Sequence, residues 1–169
     1  MILNGGIQHF PREIRILILL YLAVTSSGFI SALQFVNTTT EGGVPQGIEE
    51  NYLGNENDLE AEELKFAKSE RQILNIVHAH MLSMGMLFLL LALLVATTPL
   101  AGVLRKILLY EPLVSVLLTF GGIYLLWKGV LWMKYVIMIS GIAMTLSYVL
   151  SVVIIGYWVL KPKDTSDSQ

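Results

Sequence analysis

Cysteine is absent from the 169 residues, which excludes disulfides, thiolate metal sites, iron-sulfur clusters and covalently attached c-type haem. Any metal must therefore use His, Met or carboxylate. Charge is scarce as well: 14% of residues are charged, against roughly 25% in an ordinary soluble domain. Eleven Lys and Arg against thirteen Asp and Glu give a net charge of -2, so there is no basic field to hold nucleic acid. The Gly42-Gly43 and Gly121-Gly122 pairs lack the strand, helix and Lys of a phosphate-binding loop. No Ser, His and Asp set falls on one side with a usable base, which argues against hydrolase chemistry. What the chain has in abundance is apolar surface, 54% of residues, at a mean hydropathy of +0.66.

That surface is gathered into four runs, 16–36, 73–96, 107–127 and 135–160. Each meets the requirement of about 20 residues for a spanning helix. The expected fold is all-α, a single integral membrane domain over 1–169 built as a four-transmembrane-helix up-down-up-down bundle. The links 97–106 and 128–134 are short enough to keep neighbouring helices adjacent and antiparallel. The first run follows Arg12 and Arg15, but it exceeds the roughly 7 to 15 residues of a signal h-region and reads as a retained anchor.

Arg12, Arg15, Arg105, Lys106, Lys161 and Lys163 fall on one side of this bundle, and Lys65, Lys68, Arg71, Lys128 and Lys134 on the other. The positive-inside bias places the first set, with both termini, in the cytoplasm of a cell whose inner membrane holds the protein. Trp127, Trp132, Tyr135, Tyr157 and Trp158 sit where amphipathic rings favour the membrane boundary.

The long connection 37–72 carries nine of the thirteen acids, Glu41, Glu49, Glu50, Glu56, Asp58, Glu60, Glu62, Glu63 and Glu70. Its opening, Thr38-Thr39-Thr40 through Pro45, favours turns and extended backbone. Asn57 followed by Glu60, with Lys65 and Lys68 later, predicts a short outer helix. Ser69 with Gln72 has the form of a capping box that starts the second spanning helix afresh. The segment reads as a solvated extracytoplasmic connection in preference to a docking surface or lid.

His78 and His80 lie about 7 to 11 Å below the start of the second run, where ionisable side chains are rare and are functional by default. Two residues apart on a helix, they point about 200° apart and cannot grip one ion together. His78 shares a stripe with Arg71, Asn75 and Gly85 and is expected to face the bundle. His80 shares one with Ser83 and Met84 and is expected to face another neighbour or a second copy. Either imidazole could be an axial ligand of haem b, with Met133, Met138, water or a residue from outside the chain opposite it. The bland reading is that both simply pack, each satisfied by one hydrogen bond.

The segment His78-Ala79-His80, with Gly85 in the same helix, resembles the His-Ala-His helices of haem-copper-oxidase-like membrane proteins and of the NnrS family. The likeness covers about ten residues, and those families carry further histidines that this chain lacks, so it implies a haem or metal role for His78 and His80 and nothing more. The stretch from Tyr52-Leu53-Gly54-Asn55-Glu56 through Lys68-Ser69 into the histidines is similar to that of small four-span bacterial membrane proteins. No activity comes with that resemblance.

Met81, Met84 and Met86 follow the histidines, and thioether with imidazole suits Cu(I), although Met is also a common packing residue. Glu111, before Pro112, is the lone carboxylate inside a run. With Ser115, Thr119 and Gly122 it forms a polar stripe, either proton-linked or paired with Arg105 or Lys106. Ser27, Ser31 and Gln34 on the first helix and Ser140, Ser147 and Ser151 on the last form small-residue seams suited to helix packing.

The leading functional expectation is a membrane protein binding haem b or a metal through His78 or His80, with Met84 as a further metal ligand and Glu111 as a proton site, in respiratory or redox electron transfer. A non-catalytic accessory or scaffold subunit is the first alternative, and copper handling the second. The partners expected are the bilayer and another membrane protein or a second copy. The reading favours a complex subunit over a self-sufficient enzyme.

Overall fold

The structure is a computed structural model that describes residues 6–58, 61 and 63–161. Glu60, Glu62 and Lys163, used in the expectations above, lie outside the described residues. Five α-helices carry the chain: α1 (Arg12–Thr39), α2 (Pro45–Leu53), α3 (Glu70–Ala96), α4 (Gly102–Trp127) and α5 (Met133–Leu160). Short 3-10 turns occur at Ile7–His9 and Glu41–Gly43. All but α2 are long and apolar enough to cross a membrane. They contain the four expected runs and overshoot them by up to five residues, because polar residues such as Arg12 and Glu70 continue the backbone hydrogen bonding beyond the apolar stretch.

Local chemistry sets the ends. Ser69 caps α3 with the expected box, its hydroxyl accepting from the Gln72 amide at 3.4 Å while the Ser69 amide donates to Gln72 Oε1 at 2.8 Å. The threonines behave differently from expectation. α1 continues through Thr39, and the hydroxyls of Thr38 and Thr39 donate to the Phe35 carbonyl and that of Thr40 to Val36, bonding back to the preceding turn alongside the backbone amides. The chain then reverses through Glu41, Gly42 and Gly43, all at positive φ.

The helix expected from Asn57 is not found among the described residues. The segment's helix lies earlier, over α2, started by Pro45 at its first position and ended by Gly54 at φ 80°. Proline is pre-set for the first helical turn, so the feature that seemed to argue against a helix starts one. Gly47 lets α2 lie against the end of α1; a β-carbon there would stand 2.3 Å from the Thr40 carbonyl oxygen.

In the bundle, α4 sits between α3 and α5. A β-carbon on Gly122 would lie 3.0 Å from the Ile137 side chain, and Thr119 Oγ1 is 2.7 Å from Ser140 Oγ. Met81 reaches Gly121 from α3, and Arg105 donates to the Ala96 carbonyl. α1 rests mainly on α5, through Phe29 stacked on Tyr148 (centroids 3.9 Å apart), Ser26 bonded to the Tyr148 hydroxyl and Arg15 donating to the Val159 carbonyl. Tyr21 adds a hydrogen bond to the Leu87 carbonyl of α3. Ile7, fully buried, closes the end near the α3–α4 link, its amide donating to the Thr97 carbonyl. The expected seam on α1 is corrected: Ser27 and Ser31 bond carbonyls of their own helix and, like Gln34, are exposed.

Candidate functional site

The histidines come first. Both rings are exposed on α3. His78 does not face the bundle as expected, and Gly85, on its stripe, would have nothing within 4 Å of an added β-carbon, so no helix approaches there. His80 is the one that meets a neighbour: its ring stacks on Phe120 of α4, with centroids 4.9 Å apart, and its Nδ1 is 2.8 Å from the Ile76 carbonyl oxygen. A carbonyl only accepts, so Nδ1 carries a proton, and in the neutral ring the lone pair is then on Nε2.

Among the described residues no group of three or more His, Cys, Asp or Glu could hold a metal ion. Met84, Met133 and Met138 are half-buried and packed against the hydrophobic core, and Met81 lies against Gly121. Of the two α3 imidazoles, His80 is the one whose ring is fixed by neighbours.

Glu111 has a fuller environment. Its Oε1 accepts from the Ser115 hydroxyl one turn along α4, and its Oε2 accepts from the Ser147 hydroxyl of α5. Ser115 and Ser147 are buried. The alternative pairing with Arg105 or Lys106 is not seen, and Arg105 bonds the Ala96 carbonyl. Thr119 and Ser140 continue the polar line. The expected stripe on α4 thus faces α5, where it links two helices.

The acidic connection departs most from expectation. It is not a loose loop but a cap seated on the bundle. The Trp127 indole donates to the Lys68 carbonyl at 2.8 Å, and Lys134 at the start of α5 pairs with Glu49. Lys65 pairs with Glu41 at 3.2 Å and Glu50 at 3.6 Å. Inside the cap, Asn55 does the work of a strand partner: its side-chain oxygen accepts from the Lys65 amide at 2.6 Å and its own amide donates to the Lys65 carbonyl at 2.9 Å. Glu56 accepts from the Ala67 amide. Gly54 makes this clamp possible, since a β-carbon there would meet the Ala67 nitrogen at 2.6 Å.

Burial raises the Tyr52 hydroxyl to about 12, with a smaller opposing effect from its hydrogen bond to Asn51. Lys68 is pushed down by burial; its ammonium donates to the Asn51 carbonyl at 2.6 Å and lies 5.7 Å from the Tyr52 ring centroid. The run Tyr52-Leu53-Gly54-Asn55-Glu56 therefore has a physical role that spacing alone did not reveal. Glycine followed by Asn was the available signal, marking a turn with side-chain to backbone bonds.

No curated protein and no solved structure matches the chain. The likeness of the His-Ala-His segment to haem-copper-oxidase-like and NnrS proteins finds no counterpart in these comparisons. A family of transmembrane helical domains, Aq_1264_TM, matches residues 42–166. With four spanning helices beneath a seated cap, the chain is a multi-pass integral membrane protein and belongs to the Aq_1264_TM transmembrane helical domain family.

Proposed function

We propose that the protein is a non-catalytic accessory subunit of a membrane complex, an up-down-up-down bundle with both flanks cytoplasmic that holds a rigid acidic cap at the extracytoplasmic face of a cell membrane. The paired residues Thr119 with Ser140 and Gly122 with Ile137, and likewise Ser26 with Tyr148 and Arg15 with Val159, support that topology: one number rises as the other falls. The observation that carries the function is the seating of the cap by Trp127 on Lys68 and Lys134 on Glu49. A plain connector needs no such tether, whereas a surface that recognises a partner gains affinity from being fixed in advance.

The test is native-gel migration of the gently extracted full chain and of Trp127→Phe with Lys134→Ala. A larger assembly that the double variant abolishes, at unchanged helix content, is expected. Migration of the bare chain in both, or an assembly indifferent to the substitutions, overturns the reading.

A second reading keeps the cofactor in narrower form and is favoured by the His80 geometry. An imidazole whose Nδ1–H is held by a carbonyl is oriented to ligate through Nε2, so His80 could supply one axial bond to haem b, with the opposite ligand from another chain; copper, with Met84 one turn away, is the metal version. Reduced-minus-oxidised spectra and metal analysis of the membrane-extracted complex test it. A Soret band or stoichiometric copper lost in His80→Ala and kept in His78→Ala supports it, and neither signal in the wild type rejects it.

A further inference from the structure

Glu111 poses an electrostatic question that the accessory role leaves unanswered. It is half-buried in the middle of a spanning pair, where an uncompensated charge is costly. Among the described residues the ion pairs involve Glu41, Glu49, Glu50 and Glu70, and none involves Glu111. Both of its oxygens accept from hydroxyls, those of Ser115 and Ser147. Two hydroxyls on two oxygens leave the carboxylate without a cationic partner of its own, and in apolar surroundings its charge is balanced by a bound proton or a bound cation.

Three oxygen-bearing side chains, those of Glu111, Ser115 and Ser147, are gathered there. Ser115 and Ser147 bring hydroxyls whose lone pairs can turn to a cation, since a hydroxyl both donates and accepts. Pro112 follows Glu111 inside α4. Lacking an N–H, it leaves the Leu108 carbonyl without its usual helical donor. Leu108, Pro112 and Ser115 are buried and lie on one stripe of α4. Carboxylate, hydroxyl and released carbonyl oxygens are a hard ligand set, suited to alkali or alkaline-earth ions and unsuited to soft metals. One carboxylate balances one positive charge; a divalent ion would leave a net charge among apolar side chains.

We infer that Glu111, Ser115 and Ser147, with the Leu108 carbonyl, form a site for a small alkali cation in the seam between α4 and α5. Its occupant ties the two helices through a shared ion. Emptying it leaves the carboxylate to the two serines or to a proton. The competing occupant is a proton alone, the role expected of Glu111 from the sequence.

A hydrophobic carbodiimide, which attacks protonated carboxyl groups within membranes, separates the two on the full chain in detergent. Labelling of Glu111 is followed by intact mass and peptide mapping in sodium chloride or choline chloride at equal ionic strength and pH. Sodium at about 100 mM should slow labelling about tenfold, as mass action gives for a Kd near 10 mM. Glu111→Gln should remove the label. Ser147→Ala should still be labelled in choline but lose most of the sodium protection, and Ser115→Ala serves if that variant fails to elute as a folded species. Equal rates in sodium and choline assign the site to a proton and overturn the inference. So does full protection in both serine variants, or a wild-type Glu111 that no condition labels.

Discussion

α1 and α4 are similar in length, 28 and 26 residues, and both are apolar enough to span a bilayer, yet they live in different surroundings. In the most apolar stretch of α4, 44% of residues are buried by the rest of the protein; in α1 the share is 17%. α4 is the less hydropathic of the two. Hydropathy therefore orders these helices by affinity for lipid and not by closeness to protein neighbours. Between helices already in lipid, apolar surface gains little from leaving one hydrocarbon surrounding for another, and small residues and hydroxyls decide the contact. α4 has Ser115, Thr119 and Gly122 on its inner stripe, whereas on α1 only Ser26 reaches across, to Tyr148, and Ser27 and Ser31 bond back to their own helix. The family match runs along the same division, because residues 42–166 take in the cap and α3 to α5 but leave α1 out.

The sharpest way to break this contrast is a matched pair of glycine substitutions. Gly122→Leu must push Ile137 aside, and overpacking there should cost about 3 kcal/mol. Gly28→Leu meets open space and should stay within about 0.5 kcal/mol of wild type. Reversible unfolding in mixed detergent, followed by helix content, measures both; equal losses would place α1 inside the core after all.

Alkaline titration asks whether the cap belongs with the core. Tyr52 keeps its proton up to about 12 when seated and releases it near the ordinary 10 when free. Between those values the seated state binds more protons, so seating weakens as pH rises above 10, by about 2.3 kcal/mol at pH 12. Hydrogen exchange at the Lys65 and Ala67 amides should show that loosening in the wild type and much less of it in Tyr52→Phe.

A smaller effect, about 2 kcal/mol, is expected for Arg15→Gln, which removes charged donors from the Val159 and Lys161 carbonyls. Distances between spin labels on introduced cysteines, at positions 20 and 153, should broaden, while labels spanning α4 and α5 stay narrow. Thr119→Val is the mildest, about 1 kcal/mol, because it deletes a single interhelical hydrogen bond at nearly constant volume. An unfolding midpoint unmoved by that change would show that the Thr119–Ser140 bond adds nothing to the α4–α5 seam.

The four spans were legible because lipid demands a length of apolar chain that nothing else in the sequence imitates. The capping box at Ser69 and Gln72 was legible for a similar reason, since its chemistry is local. What the sequence hid was pairing at a distance. His78 was assigned inward from its polar stripe and Gly85, but no helix comes near that glycine, and it was His80 that found Phe120 forty residues away. Pro45 was weighed as a breaker when its position at a helix start made it an initiator. The acids were counted as solvated charge, although Glu49 and Glu50 are held by Lys134 and Lys65 across the fold. Glu111 stood between the two cases: its own stripe was visible, and its partner on α5 was not.

The attachment of α1 carries a consequence for how the protein is made. Its anchoring contacts, Arg15 to Val159 and Phe29 to Tyr148, join parts of the chain that leave the ribosome more than a hundred residues apart. While α3 and α4 can associate as soon as they are inserted, α1 must wait in the bilayer, held chiefly by lipid, until α5 has been synthesised. A ribosome paused before Tyr148 would leave that helix free to drift, and assembly would then depend on its recapture from the surrounding membrane.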